Sequence, residues 1–209
     1  MDVISTKLFL YIVIVLSAVF HEYAHGFIAY KLGDSTAKDA GRLTLNPLVH
    51  IDLMGTVLLP LFLLFYGGIF LGWAKPVPYN PFNLNDKKYG SLKVGSAGPS
   101  ANLLIAFILG IFLRIISIGA LGYIFSPLFL VAISIIVYIN IFLALFNLIP
   151  LPPLDGSKVL ADLLPRRRWA ILQSTGFFGI FLALILAFFI LPPIARLLFW
   201  LITGQGFGF

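Results

Sequence analysis

Two histidines and a glutamate fall within five consecutive positions of VFHEYAHGF, residues 19–27, inside an otherwise apolar run, LFLYIVIVLSAVFHEYAHGFIAY. On a helix His21 and His25 lie one turn apart on one face, so both imidazoles can reach a single ion. Glu22 is turned by about 100° from His21, close enough to hold a water at that ion without itself being a ligand. Zinc suits imidazole, and a catalytic zinc keeps one position open for water. The chemistry of such a set is hydrolysis. The ion lowers the pKa of a water and polarises a peptide carbonyl, and Glu22 carries the proton to the leaving amine. The competing reading is a pair of histidines that only pack. The surroundings weaken it, because an ionisable residue near the centre of a membrane helix costs about 2.5–3.5 kcal/mol and is functional by default.

Two imidazoles leave a catalytic zinc one protein ligand short. The chain has no cysteine, which excludes thiolate ligands and disulfides, and its only other histidine is His50. Asp155, in FNLIPLPPLDGSKVL, is the best third ligand. Pro150, Pro152 and Pro153 end the preceding helix there, and irregular backbone at membrane depth implies a protein-lined or watered cavity. Asp155 could equally cap the short helix SKVLADLL, with Gly156 relaxing the turn. His50, in NPLVHID, reads as a loop histidine bonded to backbone. Gly98, Pro99 and Asn102, in AGPSAN, read as close helix packing with one polar contact. Arg114 reads as snorkelling from its helix end.

The elements that must carry these residues are membrane helices. Sixty per cent of the 209 residues are hydrophobic and 11% are charged, and mean hydropathy is strongly positive, which excludes a water-soluble globular domain. Runs 8–30, 97–118, 128–149 and 170–191 each approach the roughly 20 residues that a helix needs to span hydrocarbon. Two further runs are ambiguous. Residues 53–71 are broken by Gly55, Pro60, Gly67 and Gly68, and 194–203 is short. The expected fold is an all-α polytopic membrane protein, a bundle of about 4–6 transmembrane helices with a re-entrant segment. GRLTLN, in the first connector, adds an expected short membrane-associated β element. Residues 1–209 read as a single membrane domain, and the first helix reads as retained rather than cleaved as a signal peptide.

The net charge of +6 sits in short connectors, so it reads as topology-setting charge and not as a nucleic-acid surface. Connectors 31–52, 72–96 and 155–168 are basic, whereas 119–127 carries no charge. The positive-inside rule then puts the first, second and fourth connectors in the cytoplasm, provided that 53–71 dips in and returns. Under that topology HEYAH and LPPLDG approach the same face, which favours Asp155 as a ligand over Asp155 as a cap. His21 lies on the order of 14 Å from the end of its helix, within the hydrocarbon.

HEYAHG, GRLTLNPLVHIDLMGT, GWAKPVPYNP, SAGPSANLLIA and NLIPLPPLDGSKVL together resemble the site-2 protease family of intramembrane zinc metalloproteases, in its compact branch lacking PDZ and CBS domains. The resemblance spans residues 20 to 160. It implies that His21, His25 and Asp155 hold one zinc ion, that Glu22 is the general base, and that Asn147 faces the site and helps to hold substrate. It also implies cleavage of transmembrane segments of membrane proteins. The bilayer is then an obligatory partner, and association of copies is left open. GRLTLN would pair with an unwound substrate by strand addition. The expected location is a prokaryotic cytoplasmic membrane, crossed several times. Two other readings are a zinc transporter or sensor and an inactive scaffold. A transporter needs a polar path across the bilayer, yet the far half of helix 8–30 offers only Ser17, Tyr11 and Ser5 or Thr6. A scaffold would not need Glu22.

Overall fold

The computed structural model describes residues 3–60, 62, 72–119, 121–165, 167, 172–174 and 176–207. Among the described residues three helices are long and apolar enough to cross a membrane: Ser5–Lys31, Gly90–Ile118 and Pro127–Asn147. A fourth span results if the bent pair Phe178–Phe189 and Leu191–Thr203, which meet at 52°, is counted as one. The described residues thus hold three to four candidate spans, and the expected four to six are not confirmed. Most of the proposed re-entrant stretch, residues 61 and 63–71, lies outside the described residues. The chain divides into two compact units, Met1–Gly98 and Pro99–Phe209.

In the first unit, helix α1 (Val3–Lys31) carries the HEYAH motif. It ends where Gly33 takes φ +102°, a left-handed conformation open to glycine. The Gly33 N–H donates to Tyr30 O at 3.1 Å and the Asp34 N–H to Ala29 O at 3.0 Å, a Schellman closure that satisfies the last carbonyls. The next residue begins a polar hub. Fully buried Asp34 accepts from Thr36 N at 3.2 Å, Thr36 Oγ1 at 2.5 Å, Asn80 N at 2.6 Å and Asn83 Nδ2 at 2.9 Å. Short helix α2 (Thr36–Asp39) follows, then a 3₁₀ turn, Pro47–His50, and a π-helical turn, Leu53–Leu58.

Residues 72–80 return as an extended strap tied down at positions 73, 75, 77 and 80. The Trp73 N–H donates to Gly55 O (3.1 Å), Lys75 to His50 O (2.9 Å), Val77 to Glu22 Oε2 (2.7 Å) and Asn80 to Asp34 Oδ2 (2.6 Å). Helix α3 (Gly90–Ile118) begins beyond it, and Val94 packs in a small core with Ala29 and Leu84. The expected β element is not formed: residues 41–46 adopt turns and irregular backbone. A strand needs a ladder partner. The neighbouring strap directs its N–H groups to helix ends and carboxylates, and Arg42 meets it with its side chain.

The second unit holds the rest of α3 with α4 (Pro127–Asn147), α5 (Asp155–Ala161), α6 (Gly176–Phe189) and α7 (Leu191–Thr203). Its main core joins Ala106 and Leu113 of α3, Val137 and Ile141 of α4, and Ala195 and Phe199 of α7. The i, i+4 and i, i+7 spacings put each pair on one helix face. Lipid is as apolar as these side chains, so close packing rather than water exclusion holds them. Small residues permit it: a methyl on Gly110 would come within 2.5 Å of Ile202 Cγ2. Ser126 and Pro127 start α4, the Ser126 hydroxyl accepting from Phe129 N at 3.2 Å. Arg114 does not merely snorkel. Its Nη1 donates to Leu201 O at 2.8 Å, satisfying a carbonyl in the last turn of α7.

Burial by itself would raise the Asp34 pKa, but the hydrogen bonds from Thr36, Asn80 and Asn83 outweigh it and hold the carboxyl below its ordinary value of 3.8. Because the folded-state pKa is depressed, the stabilisation is fully present above about pH 4 and is lost as pH falls through the folded value. Thermal unfolding in detergent micelles should show Asp34→Asn less stable than wild type at pH 7, by about 1–3 kcal/mol. The difference should shrink as pH falls below 4.

Candidate metal centre

The site is built on the second and third turns of α1 before its end. His21 and His25 are both buried, and their Nε2 atoms stand 3.0 Å apart with the rings edge to face at 81°. Two nitrogens bound to one tetrahedral zinc at about 2.0–2.1 Å lie roughly 3.3 Å apart, close to this separation. The tautomer of His25 follows from its partner. The carbonyl of Val94 can only accept, so His25 Nδ1–H donates to it at 2.6 Å and Nε2 carries the lone pair. A backbone carbonyl on the far ring nitrogen is the usual way of orienting a metal-binding imidazole.

The space at the two Nε2 atoms is kept open by Gly98 of α3. A methyl there would overlap Nε2 of both His21 and His25. Val94 and Gly98 are one helical turn apart, so α3 holds one imidazole and leaves clearance for both from the same face. The residues present thus fit a small cation: two imidazole donors, one orienting carbonyl and a cradle that any side chain would fill. Glu22 sits one position from His21, half-buried, with Oε2 accepting the Val77 N–H.

Asp155 and Asn147 belong to the second unit. Asp155 is buried and opens α5, whose N-cap is Leu154, so Asp155 does not occupy the cap position. Its Oδ1 accepts from Lys158 Nζ at 2.8 Å. A methyl on Gly156 would overlap the carbonyl oxygens of Leu148 and Ile149, so the DG pair is required for α5 to fold back against the end of α4. Asn147 Nδ2 donates to Leu143 O at 3.0 Å, a bond within its own helix and not between helices. His50 is buried, and its Nε2 donates to Thr44 O at 2.8 Å, the backbone role expected of it. Asn102 departs from expectation: it is fully buried, and neither amide atom has a hydrogen-bond partner among the described residues.

Gly98, Val77 and Arg42 were not legible as parts of the site. The only signals were the glycine in SAGPS and the two prolines flanking Val77, which carry no chemistry of their own.

A buried pair of imidazoles beside a carboxylate, on a helix of membrane-spanning length, defines a metal-dependent hydrolase site. Residues 115–192 match Peptidase family M50. The Bacillus subtilis protein titled "Putative zinc metalloprotease YwhC" is 38% identical over 210 residues, covering 97% of this chain and 89% of that one. "Zinc metalloprotease MJ0392" of Methanocaldococcus jannaschii is 32% identical over 170 residues, 79% of this chain and 37% of that one. No solved structure matches. The chain belongs to Peptidase family M50, the site-2 protease family, and is a metalloprotease.

Gly98→Ala should leave the helical content of the purified protein unchanged and lower its zinc content well below that of wild type, measured by elemental analysis after dialysis against micromolar zinc.

Proposed function

We propose that the chain is an intramembrane zinc metalloprotease that cuts peptide bonds in or near transmembrane segments of other membrane proteins. The observation that carries this reading is the imidazole pair, 3.0 Å apart at Nε2, in the helix Ser5–Lys31. A hydrolytic set at that depth meets substrates that are themselves within the bilayer. His21, His25 and Asp155 hold one zinc ion. The donor set supports it: two neutral imidazoles and one carboxylate are a ligand combination of catalytic zinc sites. Asp155, buried in the proline-broken segment and paired through Oδ1 with Lys158, supplies the carboxylate. When bound, zinc polarises the scissile carbonyl and makes a water acidic enough to attack near neutral pH.

The chain's own residues do the rest. Glu22, with one oxygen held by the Val77 N–H, takes a proton from the attacking water and delivers it to the amide nitrogen as the bond breaks. Asn147, near the end of α4, offers its amide to the backbone of the substrate, and its bond to Leu143 O sets the side chain's direction. The two units act as one membrane domain. Their boundary falls inside α3, whose opening turns bear on the histidines. The protein crosses the cytoplasmic membrane of a prokaryote several times, with the basic connectors inside.

Glu22→Gln in reconstituted protein should bind zinc as wild type does and lose cleavage of a transmembrane-segment substrate by about 10²–10⁴-fold, the range removed with a general base. Asp155→Ala should lose both zinc and cleavage. A Glu22→Gln protein that cuts at the wild-type rate would sink the mechanism, and a wild type that transports zinc into vesicles but cleaves nothing would replace the reading altogether.

A further inference from the structure

We infer that Arg42 is a positioning residue for Glu22, acting through the single peptide group between Pro76 and Val77. This rests on the reading of Glu22 as general base. The N–H of that peptide, on Val77, donates to Glu22 Oε2 at 2.7 Å. Its carbonyl, on Pro76, accepts from Arg42 Nη2 at 3.4 Å, and the same nitrogen donates to the preceding carbonyl, on Lys75, at 2.7 Å. A guanidinium and a carboxylate therefore grip opposite ends of one peptide dipole, each at the end of complementary sign. Such chains polarise one another and strengthen each bond.

The strap is made for this contact. Positions 76 and 78 are both proline, so Val77 supplies the one backbone donor between Lys75 and Tyr79, and the fixed φ of each proline limits how that donor can turn. Val77 is buried, and a methyl on Gly26 would come within 3.0 Å of its Cγ1, so the strap lies directly on α1 one turn beyond Glu22. Holding one oxygen of Glu22 fixes the plane in which the carboxylate meets water.

Arg42 is an expensive choice for fastening a loop. It is 8% exposed, and among the described residues no carboxylate pairs with it and its Nε has no hydrogen-bond partner. A buried cation without an acidic partner is strongly disfavoured, and a neutral donor would tether Lys75 and Pro76 equally well. What a neutral donor lacks is the charge that polarises the peptide towards Glu22. Lysine would carry the charge on a flexible stem, without the rigid guanidinium plane that sets one nitrogen against both carbonyls.

The test uses full-length protein reconstituted in lipid vesicles with a transmembrane-segment substrate. Arg42→Gln should keep wild-type zinc content and a KM within twofold of wild type, while kcat falls by about 10- to 100-fold. Hydrogen exchange over residues 73–80, followed by mass spectrometry, should speed up in the same variant. In a Glu22→Asp background, adding Arg42→Gln should lower kcat by less than twofold, because the residue it positions is already displaced. Wild-type kcat in Arg42→Gln overturns the inference, as does a rise in KM alone or an equal fall in both backgrounds. If Arg42→Gln does not accumulate in membranes, Arg42→Lys carries the same measurements, with an expected kcat loss of at least threefold at unchanged zinc content; wild-type kcat there overturns it too. Full activity of Glu22→Gln is a separate outcome, which removes the general base rather than the Arg42 contact.

Discussion

The hydrogen bond from His25 Nδ1 to the Val94 carbonyl is the fixed point of the first unit. In hydrocarbon an imidazole without a partner is costly, and a misdirected one is useless as a ligand. One backbone acceptor solves both problems by fixing the ring and its tautomer. It also dictates how closely α3 must approach α1, and that closeness is possible only because Gly98, one turn on, has no side chain. Ala29, Val94 and Leu84 then pack at the spacing the bond demands. The metal cradle and the local core follow from one distance.

A second constraint is that extended backbone packed on a helix of membrane-spanning length must place its N–H groups somewhere. Residues 72–80 meet it without a sheet. Gly55 O, His50 O, Glu22 and Asp34 accept in turn from positions 73, 75, 77 and 80. Two of these acceptors are carboxylates, so the strap is held by charge-assisted bonds at its middle, on Glu22, and at its end, on Asp34. Fastening the loop and orienting Glu22 are the same interaction. This is also why residues 41–46 form no strand: the groups that would complete a ladder with them are already engaged.

The second unit is held differently. Its apolar helices gain little from leaving lipid, so Ala106, Gly110 and Ala195 matter for the closeness they allow, and Phe199 and Ile141 for the surface they bring into contact. Polar groups appear where helices end. Arg114 reaches Leu201 O, and Thr203 Oγ1 donates to Phe199 O, each answering a carbonyl that the helix leaves open.

The sequence by itself determined what periodicity and composition can carry: long apolar runs at 8–30, 97–118 and 128–149, which the helices follow within a few residues, and the i, i+4 histidines with a glutamate between them. Helical geometry is local, so the facing of His21 and His25 needed no further information. It also showed the backbone role of His50. Tertiary structure decided everything that depends on two segments meeting. Gly98 became a cradle, Val77 a holder of Glu22 and Arg42 a buried cation bonded to the carbonyls of the strap only once α3 and the strap lay against α1. The same meeting left the expected β element unformed, and α6 and α7, which fall on the expected runs 170–191 and 194–203, meet at 52°. Local spacing fixes which groups share a face of one helix. Which backbone donor lies opposite that face is set by chain returning from some 50 residues away, and no pattern within the motif encodes it.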